Sequence, residues 1–474
     1  MNILPINPTE NQTPEALHRF LAQCADTARV AGRPQLVSIS VAVDSLDPLA
    51  VLESIFEPNE LHFYAERPSQ GFAVAGAETA IEFTSQGPGR FAAAKAFIAQ
   101  VLANTQAVGS LDEPFAGPHF FLGAGFAPEA EPGAPFPALR LFVPRWQVSR
   151  MGDGSVAVAN FLITADAPVE LITAKVWKAH AKFRSFDYTS ARRKDRPSAP
   201  RRREELGGEG SYQRAVAQGL AGIAAGEYQK IVLARAQRLT TAEPFHPLGV
   251  LNHLRQRYSG CYSFSFANGL GQSFIGASPE RLVRVAAGRM HTEALAGSAP
   301  RGQSASEDAA LARNLLHDDK ELREHQFVLG SIRARLDGLG LTLEYAAQPR
   351  LLGLANVQHL HTPISAALPA GVHILDLIER MHPTSAVGGT PPEAAMAAIP
   401  QLESFSRGLY AGPLGWVDHR GGGEFFVGLR SALIDGCTAT AFAGAGIVAG
   451  SVPVNEFAET ELKFKALIDG LTES

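Results

Sequence analysis

Apolar residues recur at every second position over 36–43 (LVSISVAV), with Val37, Ile39, Val41 and Val43 on one side, which is the period of a strand. Residues 117–126 (GPHFFLGAGF) and 139–144 (LRLFVP) predict two more strands, separated by the Pro/Gly-rich EPGAPFPA, and 80–105 holds an amphipathic helix. Beyond residue 210 the pattern becomes denser. A helix over 211–226 precedes a strand over 229–239 (QKIVLARAQRL) that starts with a lysine, and a second helix follows at 247–258. CYSFSFANG and QSFIGASPERLVRV predict two strands joined by a turn, and 290–302 a strand running into a loop. One long helix is expected from about 306 to 336, then strands at 341–352 and 357–364 and a helix at 373–381. Strands at 409–418, 424–434 and 437–449 and a closing helix at about 454–469 complete the chain. Hairpins outnumber strand–helix–strand units, so the pattern predicts an antiparallel α+β architecture. No fixed-period repeat occurs, which argues against a solenoid.

One seam interrupts this order. Seven basic residues fall within 192–203 of ARRKDRPSAPRRREELGGEGS, but two prolines, adjacent acids and the lack of aromatics describe a solvated linker better than a nucleic-acid patch. The expected division is 1–190, an exposed Arg/Pro-rich loop over 191–210, and a chemistry-bearing region over 211–474. With 42 Lys+Arg against 47 Asp+Glu the net charge is −5, which gives no electrostatic reason to expect nucleic acid. Residues 436–454 are uncharged and long enough to span a bilayer, yet their four glycines, proline and three hydroxyl residues make a poor membrane helix. Three widely spaced cysteines and a first segment without a targeting pattern fit a cytoplasmic protein.

Several side chains could carry chemistry, and each also has an ordinary explanation. Glu456, Glu459 and Lys463 share a face of the closing helix, and two carboxylates there either answer the helix dipole or await a cation. Glu321 and Glu324 lie in DDKELREHQ, where charge pairs on an exposed face are the default. Lys230 opens a strand, where a lysine normally snorkels into solvent but, if desolvated, could serve as a base. Glu280 follows Pro279 in a turn, a usual place for a surface carboxylate. His359 and His361 are expected on opposite faces of their strand, which argues against one shared metal and for hydrogen-bonded structural roles. GAGIVAG (444–450) has the wrong spacing for a dinucleotide fingerprint, although its amides could still hold a carboxylate.

The order of these segments is more specific than any one of them. KIVLAR, IGASPERLV, TEALAGSAPRG, DDKELREH, QHLHTPI, MHPTSAVGGTP, SRGLYAGPLGW, FFVGLRSALI and GAGIVAGSVPVNEFAETELKFKAL together resemble the chorismate-binding enzymes, over about 211–470. The ammonia-using members carry a Thr-Leu-Ser-Gly-Ala-Pro-Lys type segment where this chain has PTSAVGGTP. KIVLAR and ALAGSAPRG are instead similar to the water-using members. The resemblance implies an α+β fold of two packed antiparallel sheets with helices outside. It implies an Mg²⁺-dependent isochorismate synthase, an isomerase acting on chorismate, with salicylate synthase as the alternative. It implies Lys230 as the base that activates water and Glu280 as the acid that assists loss of the 4-hydroxyl. Tyr410, Arg430, Gly444, Gly446, His382 and Glu293 would line the substrate pocket, and Glu324, Glu459 and Glu456 would hold Mg²⁺. No membrane and no glutaminase subunit are expected, and the protein is expected to act as a monomer.

Overall fold

The computed structural model describes residues 1–3, 13–55, 57–184, 201–353 and 357–473. Among the described residues, hydrogen bonds join 22 strands into one continuous network, antiparallel except where Thr105–Gly109 runs parallel to Asn2–Ile3 and Gln35–Val43. Helices pack around it, giving the mixed α+β class expected from the hairpin-rich pattern. The largest core is aromatic: Phe63, Phe121, Phe266 and Trp416 are buried together, with the Phe63 and Phe121 rings stacked at 4.5 Å. This core joins strands from both ends of the sequence, since Tyr262–Ala267 pairs with His62–Arg67 and Pro413–Asp418 with His119–Ala124. The described strands before residue 185 therefore belong to the same network as those after residue 201.

The structure departs from the sequence reading in specific places. The long helix is two, Ala305–His317 and Asp319–Leu336. Asp318 separates them because its carboxylate accepts from the Lys320 and Glu321 amides, capping a new helix start. The strand expected through SPERL breaks into Gln272–Ser278 and Arg281–Ala286, leaving Pro279, which has no amide proton, and Glu280 between them. The strand expected over 424–434 also divides, into Gly423–Val427 and Ser431–Asp435, with Arg430 near the break at a φ of 46°. The two breaks are neighbours, because the Arg430 carbonyl accepts from the Ala277 amide. Residues 191–200 of the expected loop lie outside the described residues, but Arg202–Glu205 forms a strand against Gln237–Thr240. Helix Pro392–Leu402 lies in a Gly/Pro-rich stretch for which the pattern predicted none.

Candidate active site

Lys230 begins the strand Lys230–Thr240, which pairs along its whole length with Thr438–Val448. The opposite edge is filled piecemeal. Gly389–Thr390 pairs with the first two residues and Arg202–Glu205 with the last four. Side chains fill the gap between: Glu403 accepts from the Ala234 amide at 2.7 Å and Arg407 donates to the Val232 carbonyl at 2.7 Å. Glu403 and Arg407 are also ion-paired, with side chains only 1% and 3% exposed. A buried ion pair thus takes the place of a missing strand segment and fixes the backbone just after Lys230.

The lysine stem lies across the neighbouring strand. A Cβ added at Gly446 would come within 3.0 Å of Lys230 Cε and 3.6 Å of Nζ, so the bare glycine backbone is what admits the side chain. Lys230 is 17% exposed, and its ammonium lies 3.8 Å from Glu324 on helix Asp319–Leu336. The side chain is therefore held largely inside rather than extended into solvent.

Glu280 faces the same interior. Burial, together with the nearby Glu293 carboxylate, pushes its carboxyl up to about 7, against the pull of Lys230 and Lys463 and a hydrogen bond with Thr384. Glu280, Glu293, Thr292, Ser331, Arg335, Thr384 and Ser385 are among the residues lining one cleft. Tyr410 is buried and stacks on Phe442 at 5.2 Å, and burial pushes its phenol well above the ordinary range. A Cβ at Gly444 would lie 3.0 Å from the Tyr410 hydroxyl, so this glycine too keeps space open. Lys230, Glu280, Tyr410, Gly444 and Gly446 are thereby gathered, and Arg430 lies near His359.

Three further groups belong with them. Lys463 donates to the Gly444 carbonyl at 2.9 Å and to Glu459 at 2.6 Å. Ser298 is hydrogen-bonded to His359 Nδ1 at 2.7 Å. Burial, with Arg430 and Lys463 adding to it, pulls the His359 imidazole down to about 4, so it is neutral at pH 7. The signal for Lys463 was its position one turn beyond Glu459, and the signal for Ser298 and His359 was their place inside resembling motifs.

One expectation about histidines needs correction. His359 and His361 share a face, because side chains two apart on a strand point the same way. Both are hydrogen-bonded to the adjacent strand, His361 Nε2 to Glu293 at 2.7 Å. His382, expected to line the pocket, sits edge-on to Phe91 and Phe126 with Nε2 donating to the Phe126 carbonyl at 3.1 Å. Burial pulls its imidazole down to about 3, so it is neutral at pH 7.

The three carboxylates expected to hold a metal come from two helices. Burial raises the Glu456 carboxyl, with the neighbouring Glu459 charge adding to it against a hydrogen bond from Ser451. Among the described residues no three His, Cys, Asp or Glu side chains are gathered closely enough to enclose an ion. The donors present are all carboxylate oxygens, partly solvent-accessible, with Glu324 and Glu459 paired to lysines. That donor chemistry fits a hard divalent cation that keeps several waters.

Comparison with known proteins agrees with this picture. A family model described as chorismate binding enzyme matches residues 19–472. The salicylate biosynthesis isochorismate synthase of Pseudomonas aeruginosa is 35% identical over 470 residues, covering 98% of this chain and 95% of that protein. Isochorismate synthase MenF of Bacillus subtilis is 35% identical over 358 residues, 75% of each. The structure of MenF, the menaquinone-specific isochorismate synthase from Escherichia coli, superposes with a TM-score of 0.78 at 26% identity, covering 95% of this chain and 99% of that one.

Proposed function

The chain belongs to the chorismate-binding enzyme family, and within it we propose that it is an isochorismate synthase, an isomerase converting chorismate to isochorismate. The observation that supports this reading is that Glu280, a carboxyl raised to about 7, and Lys230, a largely buried lysine at a strand start, are electrostatic neighbours. The reaction needs both kinds of group. Water adds at ring carbon two while the 4-hydroxyl leaves and the double bonds shift. Lys230 takes the proton from the attacking water, which requires its amine form during attack. Glu280 gives its proton to the departing hydroxyl, which leaves as water, so hydroxide is never released free. One water is consumed and one is formed, and the proton gained by Lys230 balances the one lost by Glu280.

Binding falls to the groups around this pair. Arg430 suits a carboxylate because its planar fork gives two parallel hydrogen bonds, and Tyr410 with the backbone at Gly444 and Gly446 holds the enolpyruvyl side. Glu324 and Glu459, with Glu456 behind them, would hold Mg²⁺, which when bound supplies positive charge for the ring carboxylate. The cations Lys230, Arg430 and Lys463 also explain how a chain of net charge −5 accepts a dianion: the local field, not the total, faces the ligand.

The test is incubation with chorismate and Mg²⁺ followed by chromatographic product analysis. Isochorismate as the accumulating product supports the proposal. The second reading, salicylate synthase, adds pyruvate elimination on the same protein, and salicylate fluorescence without an added lyase would establish it instead. The name of the Pseudomonas aeruginosa relative joins isochorismate synthase with salicylate biosynthesis, which makes this the comparison to run first.

A further inference from the structure

Two carboxylates, Glu280 and Glu293, line the same cleft, and their surroundings push them in opposite directions. Glu293 is 8% exposed, and its Oε2 is 2.7 Å from His361 Nε2, which is itself 6% exposed. Arg350 Nε lies 3.3 Å from His361 Nδ1, and a guanidinium has only hydrogens to give. His361 Nδ1 therefore accepts, so Nε2 carries the hydrogen and donates it to Glu293. That donation makes Glu293 the acceptor and favours its ionised form. Its carboxyl is accordingly held below the ordinary range, burial being outweighed by His361 and Arg281. The other oxygen, Oε1, is buried with no donor among the described residues, and Glu293 lines the cleft with Glu280.

Glu280 meets charged or polar groups from every side. They are Glu293 on strand Arg289–Pro300, Lys230 on its own strand, Lys463 on helix Pro453–Glu473, and Thr384 in the loop after helix Ile374–Met381. Arg335 of helix Asp319–Leu336 and Arg281 line the same cavity. Every charge in that set other than Glu293 favours ionised Glu280. Burial is the larger reason that Glu280 keeps its proton, and the fixed negative charge of Glu293 adds to it against the pull of the lysines.

We propose that Glu293, held ionised by His361, is a positioning carboxylate whose fixed charge keeps Glu280 in its acid form between turnovers. This rests on the reading of Glu280 as the proton donor and gives Glu293 and His361 a shared role beyond lining the pocket. His361 acts at one remove, by giving Glu293 the hydrogen bond that holds its proton off.

The test is the pH profile of kcat/KM for chorismate conversion in Glu293→Gln, Glu293→Asp, His361→Leu and His361→Gln, each checked for folding by thermal unfolding. In the parent protein activity falls as pH rises through the Glu280 ionisation. In Glu293→Gln that limb moves to lower pH by about one unit, so turnover above it drops about tenfold and recovers on acidification. Glu293→Asp keeps the charge and brings the limb back. His361→Leu shifts the limb in the same direction as Glu293→Gln, and His361→Gln, which retains an N–H, does so less. These two variants decide the matter if Glu293→Gln does not fold. A raised KM with an unmoved limb in Glu293→Gln or His361→Leu overturns the proposal and leaves Glu293 a binding residue. Glu280→Gln run alongside separates the layers: if it turns over chorismate at near-parent rate, Glu280 is not the acid and both readings fall.

Discussion

An acid kept protonated by burial has a stability signature that does not depend on substrate. Glu280 has an ordinary carboxyl value of 4.5 when the chain is unfolded and about 7 when it is folded. The folded state therefore holds this proton more tightly. Between these values the native protein binds more protons than the unfolded one, so stability falls as pH rises. The contribution is fully present below about pH 4.5 and is lost by the time pH passes about 7. At about 1.4 kcal/mol per pH unit, the loss amounts to about 3 kcal/mol as an upper bound. Replacing Glu280 by Gln keeps the shape and removes the ionisation, so the variant lacks this slope. Equilibrium urea unfolding of both proteins from pH 4.5 to 8.5, in EDTA and without ligand, isolates it. Slopes from Asp47 and Asp308, whose carboxyls are lowered by their arginine partners, occur in both proteins and cancel in the difference. Glu280→Gln is expected to gain up to about 3 kcal/mol on the parent as pH rises from 4.5 to 7, and to hold that gain above 7. It should do so while losing turnover. A difference that stays flat across the range would refute the claim that folding holds Glu280 in its acid form.

Other perturbations reach different parts of the site. Lys230→Ala should lower kcat by about 10²–10⁴-fold, the usual worth of a general base, while equilibrium dialysis still shows chorismate binding. Gly446→Ala places a methyl 3.0 Å from Lys230 Cε, so kcat should fall by about tenfold or more while the midpoint of thermal unfolding changes little. Arg407→Met leaves Glu403 buried and unpaired beside the Lys230 strand, and urea unfolding should show a loss of about 3–5 kcal/mol. Excess EDTA should abolish turnover and Mg²⁺ restore it, with Glu459→Gln needing a higher Mg²⁺ concentration for half-maximal rate.

Much of the framework is legible in the chain because local rules decide it. The strand opening at Lys230 and the closing helix carrying Glu456, Glu459 and Lys463 follow directly from periodicity and appear close to the expected bounds. What the pattern does not contain are the interruptions. Apolar alternation continues through IGASPERLVRV, so nothing in it marks that Pro279 and Glu280 leave the ladder, and the same holds at Arg430. The helix restart at Asp318 depends on one carboxylate turning back to two amides, a choice that helical spacing on either side conceals. The ion pair of Glu403 and Arg407 fills a gap in a sheet edge that exists only after distant strands have assembled. Of the site, residue types in order pointed to Lys230, Glu280 and the glycines. The partnership of His361 with Glu293 spans 68 positions and needed the register of two strands to become visible.

The most direct test of Lys230-activated water addition is turnover of chorismate in H₂¹⁸O with mass analysis of the product ring. Isochorismate should carry one solvent-derived oxygen at ring carbon two, two mass units heavier, in the parent protein, and Lys230→Ala should form almost none of it. Isochorismate of unchanged mass, or labelled product formed at the parent rate by Lys230→Ala, would contradict the account.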